Sequence, residues 1–150
     1  MPQSLANIIV HLIFSTKDRF PFLREEIQEE LNPYLATILK DLESPVIKIS
    51  SISDHVHLLF RLSKNLAICD AVEKLKTGSS KWIKRKGRMF LKFHWQSGYG
   101  AFSVSQSNVS QVIKYIERQK EHHRKKTFQE EFRSFLVKYQ IRYDERYVWD

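Results

Sequence analysis

Two β-rich runs, at 46–52 and 55–62, are separated by only Ser53 and Asp54. So short a connection allows little except an antiparallel reversal, and the pair predicts a hairpin. A hairpin in mid-chain obliges the flanking segments to extend its sheet or to cover it. Upstream, 7–16 is rich in Ile, Val and Phe and reads as a strand. The stretch 25–42 places Ile27, Leu31, Tyr34, Leu35, Ile38, Leu39 and Leu42 on a helical stripe. Pro33 interrupts that stripe, so the expected helix begins near Asn32 with Pro33 at its first position. Downstream, 67–86 sets Ile68, Val72, Leu75, Ser79, Trp82 and Ile83 on one side of a second helix. Short strands are expected at 93–96 and 99–104, around a turn at Ser97-Gly98. A third helix is expected over 108–123, with Val109, Val112, Ile113 and Ile116 on its apolar side. Thr127-Phe-Gln-Glu130 has the form of a capping box, opening a last helix to about Tyr139. The aromatic tail, 141–150, is too short to classify.

Strand, helix, strand, strand, helix, strand is the order of the split βαβ, or ferredoxin-like, layout. The expectation is an α+β domain spanning 1–150, with an antiparallel sheet, helices packed on one face, and additional C-terminal helices. The other face would stay partly free for work. A length of 150 residues suits one domain, and 42% hydrophobic residues can build its core. Cys69 is the only cysteine, which excludes an intramolecular disulfide and any zinc site of several cysteines. No run of about 18 apolar residues is present, so no membrane span is expected. The first sixteen residues lack the basic start and small-residue cleavage site of a secretory signal, and the expected location is the cytoplasm.

The positive charge is local. From Lys74 to Ile116 there is no Asp or Glu, while Lys74, Lys76, Lys81, Lys84, Arg85, Lys86, Arg88, Lys92 and Lys114 fall there. That leaves sixteen basic against seventeen acidic residues elsewhere, so the formal +8 of the chain comes from this third of it. A confined surplus points to a binding face for a polyanion, nucleic acid before an anionic membrane surface. Trp82, Phe90, Phe93, Trp95, Tyr99 and Phe102 are interleaved with the charges, and aromatics beside cations suit unpaired bases.

His55 and His57 are two apart in a strand, so both imidazoles project from one face while Val56, Leu58 and Phe60 face a core. The pair fits half a metal site and equally fits two hydrogen-bonded structural histidines. His11 and His94 stand alone and read as structural. Adjacent His122 and His123 cannot converge on one ion in a helix. Asp54 could orient a ligand histidine or simply make the turn. Tyr115 and Gln119 are four apart, on one face of the third helix. A tyrosine becomes a competent nucleophile beside a cation, and a Gln carbonyl is a hard ligand suited to magnesium or manganese. Taken alone, the Tyr-x-x-x-Gln spacing also describes a packing tyrosine beside a solvent glutamine.

Three strings in order carry more than any one of them: Asp54-His-Val-His-Leu-Leu59, Trp95-Gln-Ser-Gly-Tyr-Gly-Ala-Phe-Ser-Val-Ser105 and Tyr115-Ile-Glu-Arg-Gln-Lys-Glu-His-His123. Together they closely resemble the single-tyrosine HUH transposases, the small insertion-sequence transposases and their relatives associated with repetitive extragenic palindromes in bacteria. Ser15-Thr-Lys-Asp-Arg19 and Ser79-Ser-Lys-Trp-Ile83 extend the likeness. The resemblance implies His55, His57 and Gln119 as ligands of Mg2+ or Mn2+ and Tyr115 as the nucleophile. It further implies a ferredoxin-like homodimer that recognises single-stranded DNA carrying hairpins. Its members cleave DNA through a 5′-phosphotyrosine and rejoin it without an energy source; no P-loop or organic cofactor is expected.

The expectation is therefore a metal-dependent DNA strand transferase, with phosphate contacts from Lys17, Arg19, Lys74, Lys76, Lys81, Lys84, Arg85, Lys86, Arg88 and Lys92. The rival is a non-catalytic nucleic-acid-binding relative of the same fold. A zinc hydrolase built on His55, His57 and His94 has no spacing argument behind it.

Overall fold

The computed structural model describes residues 2–122 and 125–150, His122 by its backbone only. Four strands form one sheet: β1 (Ile8–Ser15), β2 (Val46–Ser51), β3 (His55–Leu62) and β4 (Gly100–Val104). Their order is β2-β3-β1-β4 and every neighbouring pair is antiparallel. The two crossovers carry α1 (Glu25–Asp41) and α2 (Ile68–Lys84), as the split βαβ order requires.

Side-chain alternation divides this sheet sharply. Val10, Leu12, Phe14, Val56, Leu58 and Phe60 face α1 and α2 and make the main core with Leu31, Leu35, Leu39, Val72, Leu75 and Ile83. The opposite face is not left open. Ile9 and Leu59 pack under Val109 and Ile116 of α3 (Val109–Glu117), while Ile13 and Phe102 pack under Phe128, Phe132 and Leu136 of α5 (Phe128–Lys138). Four large apolar side chains on that face need cover, and the C-terminal helices supply it.

Three elements depart from the sequence expectation. α1 begins at Glu25 and runs through Pro33. Ile27 and Leu31 before the proline and Leu35 and Leu39 after it enter the same core. Burial stabilises by about 1.5–3 kcal/mol per such side chain, enough to offset the roughly 3 kcal/mol of an interior proline. Residues 93–96 form no strand and contribute only the bridge between Thr16 and Trp95. Gln96 is held to Ser15 through both its backbone N–H and its side-chain Oε1, and the Lys76 ammonium takes the carbonyls of Gln96, Ser97 and Gly98. The third helix is divided, because Arg118 ends α3 with its N–H shared between the Lys114 and Tyr115 carbonyls. A short α4 (Gln119–His122) follows.

The capping box is realised in part: the Thr127 hydroxyl accepts from the Glu130 N–H and fixes the start of α5. Gly100 then lets α5 approach β4. A Cβ there would lie 2.5 Å from Phe132 Cε2. Among the described residues no helix is long and apolar enough to cross a membrane.

Candidate active site

The face of the sheet under α3 and α5 carries three buried histidines. His55 and His57 come from β3 and His11 from β1, and the register places His11 opposite Leu59, diagonal to His57. A 2.8 Å hydrogen bond joins His11 Nε2 to His57 Nδ1. Asp54 Oδ1 meets His55 Nδ1 at 2.7 Å. With each Nδ1 occupied, both Nε2 atoms are directed toward α5. There Glu131 Oε1 lies 3.0 Å from His57 Nε2 and 3.6 Å from His55 Nε2. The second carboxylate oxygen, Oε2, accepts the hydrogen bond of the Tyr115 hydroxyl. One chain thus brings its own tyrosine to its own histidine pair.

Glu131 is 3% exposed, and burial of the cluster dominates its electrostatics with the Glu131 carboxylate second at Tyr115. Burial first, then the Glu131 charge and hydrogen bond, push the Tyr115 phenol well above its ordinary value, so it is protonated and donates. Burial holds His11 well below the usual imidazole range, with His57 acting in the same direction and Glu131 against it. Donor atoms of His55, His57 and Glu131 all lie within 4.8 Å of one another. Two imidazole nitrogens and a carboxylate suit a divalent ion, the carboxylate favouring manganese or magnesium and the imidazoles admitting softer metals. Gln119 is fully buried at the start of α4, and its Nε2 donates to the Tyr115 carbonyl over 3.4 Å.

A cleft of about 340 Å³ opens on this cluster, lined by His11 and Tyr115 and edged by Lys126 and Lys138. Of the basic residues named from sequence, Lys17, Lys74, Lys81, Arg85, Lys86, Arg88 and Lys92 are exposed and Lys84 half-buried. Lys86 pairs with Glu30 at 2.7 Å. Arg19 is half-buried, its guanidinium over the Trp149 ring. Lys76 turns inward to its three carbonyls, and burial lowers its ammonium to about 8. His94 is exposed and stands apart from the histidine cluster. The side chains of His122 and His123 lie outside the described residues.

Sequence reasoning missed Glu131 and the part played by His11. The signal for Glu131 was an acid set in the apolar stripe Phe128, Phe132, Phe135 and Leu136, where i, i+3 and i+4 share one buried face. His11 carried no comparable local signal, since its partner is 46 residues away.

The chain is 32% identical over 114 residues to the ISDra2 transposase TnpA of Deinococcus radiodurans, covering 73% of this chain and 81% of that protein. A crystal structure assigned as a transposase from Deinococcus radiodurans R1 superposes with a TM-score of 0.62 at 26% identity, covering 79% of this chain and 98% of the other. A REP-associated tyrosine transposase, solved bound to a REP hairpin, superposes with a TM-score of 0.59 at 13% identity, covering 82% and 72%. The fold is accordingly that of the tyrosine transposases. The chain belongs to the IS200-like transposase family, whose pattern it matches over residues 4–119.

Proposed function

We propose that this transposase cleaves and rejoins single-stranded DNA beside hairpins, with Tyr115 as nucleophile and a divalent metal held by His55, His57 and Gln119. The observation that carries the reading is the convergence of Tyr115 and the histidine pair of one chain on a single buried carboxylate. Mg2+ or Mn2+ bound there would polarise the scissile phosphate and favour ionisation of a nearby hydroxyl.

The chain's own residues supply the remainder. Asp54 and His11 orient the two imidazoles, and the Tyr115 hydroxyl is held by Glu131 until DNA enters. Tyr115 Oη then gives up its proton and forms a bond to phosphorus, while the bond from phosphorus to the 3′ oxygen breaks and that oxygen takes up a proton. The products are a 5′-phosphotyrosine and a free 3′-hydroxyl. Attack by another 3′-hydroxyl on the phosphotyrosine restores a phosphodiester and returns the phenol, so no external energy is consumed.

The exposed cations at Lys17, Lys74, Lys81, Arg85, Lys86, Arg88 and Lys92, with the half-buried Lys84 and Arg19, would hold the hairpin or its flanking strand by phosphates. Lys126 and Lys138 would guide a strand into the cleft at Tyr115. Lys76 would serve by fixing the 96–98 turn. Assembly as a cytoplasmic homodimer, implied by the family resemblance, belongs to the same proposal.

The test is incubation with labelled single-stranded hairpin DNA and Mn2+, followed by a denaturing gel. The wild type should give a denaturation-resistant adduct, and Tyr115→Phe should give none while still binding the hairpin. An adduct from the Phe variant would move the nucleophile elsewhere. No adduct from the wild type would leave a DNA-binding relative without strand transfer.

A further inference from the structure

We propose that Glu131 of α5 is itself a ligand of the metal and, through its second oxygen, the anchor of Tyr115. The inference rests on the reading of His55 and His57 as metal ligands. It adds an anionic ligand from outside residues 4–119, the span that matches the family.

The geometry is specific. Glu131 Oε1 faces both Nε2 atoms, at 3.0 and 3.6 Å, while Oε2 accepts from the Tyr115 hydroxyl. One carboxylate thereby spans the distance between a metal-binding pair and a nucleophile. Charge argues the same way. His55, His57 and Gln119 are neutral donors when they ligate, so they leave a divalent ion uncompensated in a buried site. Carboxylate charge at 3% exposure is costly unless it is paired and hydrogen-bonded, and a divalent ion is the strongest such partner. An ion bound against Oε1 answers both needs.

Local construction places Glu131 there and holds it. Thr127 caps the helix, Phe128 and Phe132 pack on the sheet, and Gly100 has no Cβ to keep Phe132 away. An acid between two buried phenylalanines points where they point. The Tyr115 contact keeps the phenol within reach of whatever the carboxylate binds. α5 therefore belongs to the active unit as well as to the core.

The experiment measures Mn2+ affinity of the full chain without DNA, by the electron-spin resonance signal of free Mn2+. The isosteric Glu131→Gln should weaken binding at least tenfold, and Glu131→Asp should recover part of it. His55→Ala with His57→Ala should abolish binding. Normal binding by Glu131→Gln, with the histidine variant inactive in binding, overturns this proposal and leaves the histidine site standing. Unchanged binding in the histidine variant removes the metal reading and this proposal together. A readout independent of substitution uses wild-type protein labelled with 13C at the glutamate side-chain carboxyl. Bound Mn2+ should show a carboxylate 13C hyperfine coupling, and its absence overturns Glu131 as a ligand.

Discussion

The His57 ring is held at both nitrogens, by His11 at Nδ1 and by Glu131 at Nε2. If Nε2 is to offer a lone pair to a metal, Nδ1 must carry the proton and His11 must accept it. His11 is suited to that because burial keeps it neutral. The same shift makes a stability prediction. A folded imidazole with a lowered value stays unprotonated while the unfolded one titrates near 6.5, so the unfolded state takes up the extra proton. Stability should therefore be full above about pH 6.5 and fall as the pH drops below it, by up to about 1.4 kcal/mol per unit from this one group. His11→Gln keeps an acceptor near the same place and cannot titrate, so its urea midpoint should lose less between pH 7 and pH 5.5 than the wild type's. Equal losses would show that His11 takes up its proton in the fold as readily as in the unfolded chain.

The elements of the site are joined by packing, and α5 is the clearest case. Glu131 reaches the histidines only because Phe132 rests against β4 where Gly100 has no side chain. Gly100→Ala should overpack that contact and destabilise the fold by about 1–3 kcal/mol. It should also shift α5 and loosen the Tyr115–Glu131 contact. Thr127→Ala removes a cap worth about 1 kcal/mol and should lower stability without moving the helix laterally. Denaturant midpoints measure both losses. A changed chemical shift of the Tyr115 ring in Gly100→Ala, absent in Thr127→Ala, separates displacement from simple weakening. An unshifted ring in both would show that α5 is seated independently of Gly100.

Across the whole molecule, the cluster of cations and the site lie on different elements, although Tyr115 itself stands within the acid-free stretch. The cations of that stretch gather at the outer end of α2 and in the loop after it, with Lys81, Arg85, Lys86 and Arg88 exposed. The catalytic candidates lie between α3, α5 and the sheet. Binding and cleavage should then separate. Neutralising Lys84, Arg85 and Lys86 together should lower hairpin affinity and reduce the slope of log K against log salt by up to about two, at roughly 0.7 per phosphate on a single strand. The adduct formed at saturating DNA should persist. An unchanged slope in a fluorescence-anisotropy titration would place the DNA on another face.

Periodicity and turn length, read residue by residue, determined the succession of strands and helices that the split βαβ layout requires. Alternation in 55–62 separated His55 and His57 from the core-facing Val56, Leu58 and Phe60, and a four-residue spacing related Tyr115 to Gln119. These are local relations, set by strand and helix geometry within a few positions. The start of α1, the loss of a strand at 93–96 and the break at Arg118 were decided by longer-range competition, in which shared core burial or the Lys76 clamp outweighed local preference. The site was divided in the same way. The shared face of its histidine pair and the spacing of Tyr115 from Gln119 were legible from neighbours in sequence, and their roles only through the family resemblance. His11 and Glu131 were not, because they stand 46 and 74 residues from His57 and meet it only after β1 pairs with β3 and α5 packs across both. A hydrogen bond between distant residues leaves no period in the chain; only the packed fold brings its two ends together.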